Sequence, residues 1–114
     1  MADEFEIVRT HRQELRRGTV VLASLLALRT PEYGYALLET LASHGLQVDA
    51  NTLYPLLRRL EEQGLLTSEW DTSTSRPRKF YATSAAGAAL ASELLDEFGA
   101  LGRAFASLTQ GADR

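Results

Sequence analysis

The hydrophobic pattern of this chain changes period twice, and the double change restricts the folds open to it. Up to Gly64 the apolar residues recur at helical spacing; from Leu66 to Thr83 they alternate; from Ala85 helical spacing returns. A helix presents an apolar stripe roughly every three to four residues and a half-buried strand every second one, so neither pattern suits the other element. In the alternating stretch Leu66, Ser68 and Trp70 fall on one side, and Thr67, Glu69 and Asp71 on the other. Thr72-Ser73-Thr74-Ser75 makes a polar turn, and Arg78 to Thr83 alternates again around Phe80 and Tyr81, both strand-favouring residues. A hairpin therefore sits between helical segments.

Residues 1–14 are mostly polar, with Phe5, Ile7 and Val8 as isolated apolar points, and predict a weak, frayed helix. Leu15 to Leu28 is apolar nearly all round, as a helix at the centre of a core is. Thr30-Pro31 ends it, because the residue before proline avoids the helical region. A second core helix is expected from Tyr33 to Ser43, with Leu37, Leu38 and Leu41 inward and Gly45 as its stop. A third is expected from Asp49 or Asn51, both good caps, to Gln63, stopped by Gly64. After the hairpin, Thr83 or Ser84 caps a long last helix to about Leu108. Two helices joined by a short turn and followed by a hairpin form a winged helix-turn-helix.

On a wheel of about 100° per residue, Leu53, Leu56, Leu57 and Leu60 of the third helix share one side. The other side carries Asn51, Pro55, Arg58 and Glu62, flanked by Thr52, Tyr54 and Arg59. Amide, hydroxyl and guanidinium groups read base edges and phosphates; a plain solvated face has the same composition. Pro55 requires the helix to begin near Asn51, so that the proline falls in the first turn. A second patch, Arg76-Pro77-Arg78-Lys79, follows the hairpin turn. Such a wing tip suits a phosphate backbone, where neutralised phosphates release counterions. The same residues also suit an edge strand guarded by charge and proline.

Charge weighs against a protein that merely coats nucleic acid: the net charge is −3, so DNA contact must come from local patches. That balance also fits a winged-helix module that binds protein rather than DNA, and the two basic patches argue against it. No cysteine is present, which removes disulfides and thiolate chemistry, and His11 and His44 form no metal-ligand spacing. The glycines form no phosphate-binding loop, and Glu61-Glu62 beside Arg58 reads as surface ion pairing. Neither enzyme, cofactor nor metal is expected. The acidic start carries no signal-peptide pattern and no apolar run is long enough to span a bilayer, so no membrane partner and a cytoplasmic location are expected.

The stretches NTLYPLLRRLEEQGLLTSEW (51–70) and RPRKFYATSAAG (76–87), preceded by ELRRGTVVLASLLAL (14–28) and YGYALLETL (33–41), resemble the PadR family of transcriptional regulators over about residues 14–90. The resemblance implies a dimeric winged-helix DNA-binding repressor, often responsive to small molecules, of the short subgroup with one helix after the wing. It also implies that the start of the second core helix meets a phosphate, where Tyr35 would donate its hydroxyl; the alternative is that Tyr33 and Tyr35 pack beneath that helix.

In the last helix Leu90, Leu94, Phe98, Leu101, Phe105 and Leu108 recur as in a coiled-coil seam. A helix of about 24 residues spans roughly 36 Å, more than a small winged domain covers, so a second copy is expected to bury part of the seam. Ala91 and Leu95 are candidates for packing back on the chain's own first helix. Phe98 either fills a dimer core or stacks on a planar apolar effector.

The expected architecture is mainly α with a small β-hairpin: an N-terminal segment (1–14), a winged helix-turn-helix (15–83), a dimerisation helix (84–109) and a disordered tail (110–114). The expected partners are a double-stranded DNA operator, contacted by Tyr35, Asn51, Thr52, Tyr54, Pro55, Arg58, Arg59, Arg76, Arg78 and Lys79, a second copy of the chain, and a planar apolar effector.

Overall fold

The structure, a computed structural model, describes residues 3–112; residues 1, 2, 113 and 114, which include part of the expected tail, lie outside the described residues. The elements follow in the order α1 (Glu4–Arg16), α2 (Thr19–Ala27), β1 (Glu32–Tyr33), α3 (Gly34–Ser43), α4 (Ala50–Glu62), β2 (Leu66–Asp71), β3 (Arg78–Thr83) and α5 (Ala85–Ala112). This is a winged helix-turn-helix with a long C-terminal helix.

The two helix stops expected from glycine are the best-defined joints. Gly45 and Gly64 adopt φ of 88° and 78°, in the left-handed region that suits glycine. After α3, the Leu46 N–H reaches the Leu41 carbonyl at 2.8 Å and the Gly45 N–H reaches Ala42 at 2.9 Å. After α4, Leu65 bonds Leu60 at 2.9 Å and Gly64 bonds Glu61 at 3.0 Å. Both are Schellman closures, which satisfy carbonyls that a helix end otherwise leaves open. Asp49 caps α4 by accepting from the Asn51 N–H at 2.9 Å.

Four corrections concern the helices. The single helix expected from Leu15 to Leu28 is two, separated at Arg17-Gly18, and α1 extends from Glu4 to Arg16. Glycine inside a helix costs about 1 kcal/mol relative to alanine, and here the Thr19 hydroxyl turns back to the Arg16 carbonyl at 2.6 Å. The opening segment is not frayed: the Asp3 carboxylate caps it, accepting from the Glu6 N–H at 2.8 Å. Helix α5 continues past 109 to Ala112, with the Thr109 hydroxyl bonded to the Phe105 carbonyl at 2.9 Å. Finally, α4 begins at Ala50, so Pro55 is its sixth residue and sits in the second turn, not the first. The proline leaves the Asn51 carbonyl without its helical donor, on an exposed face where water can replace it.

Strand β1 has no counterpart in the sequence reading. Pro31 holds Thr30 out of the helical region, and Glu32 and Tyr33 then pair antiparallel with Tyr81 and Phe80. The sheet order is β1-β3-β2, so β3 is the middle strand and not the guarded edge expected of it. The hairpin register runs from Leu66 opposite Thr83 to Asp71 opposite Arg78.

The core gathers Leu25, Leu28, Leu37, Leu41, Leu53, Leu56, Leu57, Leu60, Leu66, Tyr81 and Ala91. Each fully buried leucine contributes about 1.5–3 kcal/mol of transfer free energy. Two polar ties seat the wing on this core: the Thr83 N–H bonds the Leu28 carbonyl at 2.9 Å, and its hydroxyl bonds Leu25 at 2.7 Å. Ser84 caps α5, accepting from the Gly87 N–H at 3.1 Å. A Cβ at Gly87 would overlap the Leu65 carbonyl oxygen, so glycine there lets α5 approach the start of the wing.

Helix α5 leaves the core after its first turns. Ala91 is buried, Leu90 and Leu94 are half-buried, and Leu95 is exposed and does not pack back on the core. Beyond them Phe98 is 58% exposed and Leu108 70%, with Leu101 and Phe105 between. Phe5, Ile7, Val8 and Leu15 of α1 are likewise exposed.

Candidate nucleic-acid interface

Helix α4 divides as its wheel requires. Leu53, Leu56, Leu57 and Leu60 are buried, while Asn51, Thr52, Tyr54, Pro55, Arg58 and Arg59 are exposed. Among the described residues neither Arg58 nor Arg59 makes an ion pair. Tyr54 leans on the start of α3: a Cβ at Gly34 would stand 2.5 Å from the Tyr54 ring, so only glycine allows this approach. The exposed face of α4 and the start of α3 are thereby one surface.

Strand β3 sends its neighbours to opposite faces, as the pleat requires. Arg78 points to β1 and α3. Its guanidinium lies 4.2 Å from the centre of the Tyr33 ring, and its Nη1 donates to the Tyr35 hydroxyl at 3.1 Å. The Tyr33 and Tyr35 rings stack 6.0 Å apart, and Tyr33 meets Phe80 edge-on at 5.7 Å. Asp71 completes the group. Its Oδ2 accepts from the Tyr33 hydroxyl at 2.5 Å, and its Oδ1 from the Ser73 N–H at 3.0 Å and the Ser73 hydroxyl at 2.6 Å. The Arg78 Nη2 is 3.8 Å away. Chiefly the Ser73 hydroxyl, then the Tyr33 hydroxyl, hold the Asp71 pKa down at about 2. The same bond to Asp71 raises the Tyr33 pKa, because the proton is held between them.

Lys79 points the other way, towards α4. Its ammonium donates to the Glu61 carboxylate at 3.0 Å and lies 5.4 Å from the centre of the Tyr81 ring. The Ser68 hydroxyl donates to the other Glu61 oxygen at 2.5 Å. The Ser68 bond first, then Lys79, lowers the Glu61 pKa, and Glu61 raises that of Lys79. Glu61 is therefore tied to the wing, and does not form the surface pair with Arg58 that its spacing suggests. Arg76 stays exposed at the wing tip.

The ten candidate contact residues thus fall into three groups. Asn51, Thr52, Tyr54, Pro55, Arg58 and Arg59 share the exposed face of α4, Tyr35 and Arg78 are joined directly, and Arg76 and Lys79 stand apart from both. Sequence reasoning missed Tyr33, Asp71, Glu61 and Ser68. The available signal was Asp71 followed two residues on by Ser73, the pattern of an Asx turn.

Among the described residues no group of three His, Asp or Glu side chains is placed to hold a metal ion, and no helix is long and apolar enough to cross a membrane. The transcriptional regulator Rv3488 of Mycobacterium tuberculosis is 43% identical to this chain over 82 residues, 71% of this chain and 77% of its own. The crystal structure of a PadR family transcriptional regulator from Eggerthella lenta matches with a TM-score of 0.87 and 50% identity, over 90% of this chain and 92% of that one. Bacillus subtilis PadR, solved in complex with operator DNA, shares the fold at a TM-score of 0.62 and 20% identity, over 68% of this chain and 45% of that one. These are names of transcriptional regulators, which are not enzymes. Residues 21–93, from α2 through the wing into α5, match the model of the transcriptional regulator PadR-like family, and the chain belongs to that family.

Proposed function

We propose that the chain acts as a homodimeric repressor on a pseudo-palindromic double-stranded DNA operator. In this reading α4 enters the major groove, where Asn51, Thr52, Tyr54, Pro55, Arg58 and Arg59 meet base edges and the flanking backbone. Tyr35, Arg76, Arg78 and Lys79 supply phosphate contacts from the start of α3 and the wing, Lys79 by exchanging Glu61 for phosphate. Leu90, Leu94, Phe98, Leu101, Phe105 and Leu108 of α5 form the seam between two copies, and a planar apolar effector that releases the operator stacks at Phe98. The cytoplasm is where such a regulator meets DNA.

The observation that carries the reading is the exposed face of α4. It presents two arginines without ion pairs among the described residues, an amide and a threonine hydroxyl, in a chain whose net charge is −3. An acidic protein that leaves cations uncompensated on its helix-turn-helix has there the local charge that DNA recognition needs. Arg58→Ala tests it. Binding to a duplex selected by the wild-type protein from a random pool weakens by about 1–3 kcal/mol, with an unchanged circular dichroism spectrum. Equal affinity for that duplex removes Arg58 from the contact, and failure to select any duplex removes the DNA reading altogether.

A further inference from the structure

Arg78 is tightly held for a side chain on a wing. One guanidinium nitrogen is committed to the Tyr35 hydroxyl, another faces Asp71, the plane rests over the Tyr33 ring, and Nε is buried without a partner. Asp71 is held in turn by three donors from two directions: Tyr33 at the base of α3 and Ser73 in the wing turn. The Tyr35 oxygen accepts from Arg78, so its own hydrogen cannot point at the guanidinium, and Tyr35 is 49% exposed. A guanidinium has five N–H donors. The cluster therefore leaves a free O–H beside free N–H groups at the start of α3, a donor set that matches one phosphate.

We propose that Asp71 and Tyr33 are positioning residues for DNA recognition: they hold Arg78 flat and turned towards Tyr35, so that the pair meets a single backbone phosphate already assembled. This rests on the DNA-binding reading above and adds to it the two residues that set the pair. A carboxylate on a DNA-facing wing repels every phosphate. Its presence is favourable overall only where the orientation it imposes is used, which is at a correctly placed phosphate of the operator. Asp71 therefore raises the preference for operator over other DNA, while lowering the attraction to DNA in general.

The test is Asp71→Asn, which removes the charge that restrains Arg78 and keeps one carbonyl acceptor, for the Tyr33 hydroxyl or for the Ser73 N–H but not for both. Affinity is measured for the duplex selected from a random pool and for a scrambled duplex of equal length. The selected duplex is expected to bind roughly tenfold more weakly, the size of one charge-assisted hydrogen bond, while the scrambled duplex binds as well as before or better. Partial unfolding would weaken both. In an Arg78→Ala background, Asp71→Asn is expected to raise both affinities by the same factor and leave their ratio unchanged, because only the repulsion common to all DNA remains to be relieved. Tyr33→Phe retains the ring and removes only the hydroxyl; it is expected to lower the same ratio by a smaller factor. An unchanged ratio in Asp71→Asn and Tyr33→Phe overturns the proposal, as does an equal loss with and without Arg78. If Arg78→Ala alone binds the selected duplex as the wild type does, Arg78 meets no phosphate, and the wing contact of the underlying reading falls with the proposal.

Discussion

Leu57 in α4 has no exposed surface, while Leu101 in α5 is 47% exposed, although each belongs to the apolar stripe of its helix. The first stripe is closed by α2, α3 and the sheet. The second runs beyond the reach of those elements: α5 has 28 residues, about 42 Å at 1.5 Å per residue, and only its first turns meet the core. Apolar surface of this extent is uncommon on a protein that stays single. The contrast separates what the chain buries within itself from what it leaves open. It also explains why α1, with Phe5, Val8 and Leu15 exposed, adds little to the core.

The largest expected effect comes from placing charge in the outer stripe. Leu94→Asp with Phe98→Asp would put two carboxylates into the proposed seam, where burial without partners is prohibitive. Sedimentation should show a monomer, and operator affinity should fall about 100-fold or more, because the half-sites no longer share one ligand. The inner stripe should hold, so the helical circular dichroism signal persists. A double variant that remains dimeric moves the proposed interface to α1 around Phe5 and Val8.

Much of the closed region was legible in the sequence, and the reason is periodicity. Leu53, Leu56, Leu57 and Leu60 have one solution on a helix, and the alternation from Leu66 to Thr83 has one as a hairpin. Gly45 and Gly64 marked their stops because the left-handed conformation each adopts discriminates strongly among residues. What was not legible lacks period. Strand β1 is two residues long, too short for alternation to register, and it exists because β3 offers it an edge. The break at Gly18 was hidden because Leu15 stands seven residues before Leu22, so the apolar positions keep helical spacing across it. At the candidate interface, residue types on α4 could be read from the wheel. The side chains that hold Arg78 and Lys79 could not, since Tyr33 and Glu61 reach them only through the tertiary fold.

A smaller effect distinguishes a seam from a seam that also holds a ligand. Phe98→Ala should lower affinity for planar aromatic compounds by about 0.5–1.5 kcal/mol, the size of an aromatic stacking contact, with the dimer intact by sedimentation. If the wild type binds no such compound, the proposed effector falls and the proposed seam stands without it.

The smallest effect concerns the polar rim of the closed region. The Asp71 pKa is depressed to about 2 in the fold, so the folded state favours its charged form. That contribution is complete above the ordinary carboxylate pKa and is lost as pH falls from about 4 towards about 2. Melting temperatures followed through that interval should converge for the wild type and Asp71→Asn. A difference that is constant with pH would show that the carboxylate charge adds nothing to stability.

The two-residue strand β1 has an effect out of proportion to its length. A hairpin standing alone has two open edges, and each is a template on which a strand from another molecule can add. By pairing with Phe80 and Tyr81, β1 occupies the outer edge of β3 where that strand is most apolar. Of the rest of β3, Thr83 is bonded to the Leu28 carbonyl, and Arg78 and Lys79, preceded by Pro77, are poor partners for an incoming strand. On that side the sheet ends in a strand of two residues, a shorter template for an incoming strand than β3 would be.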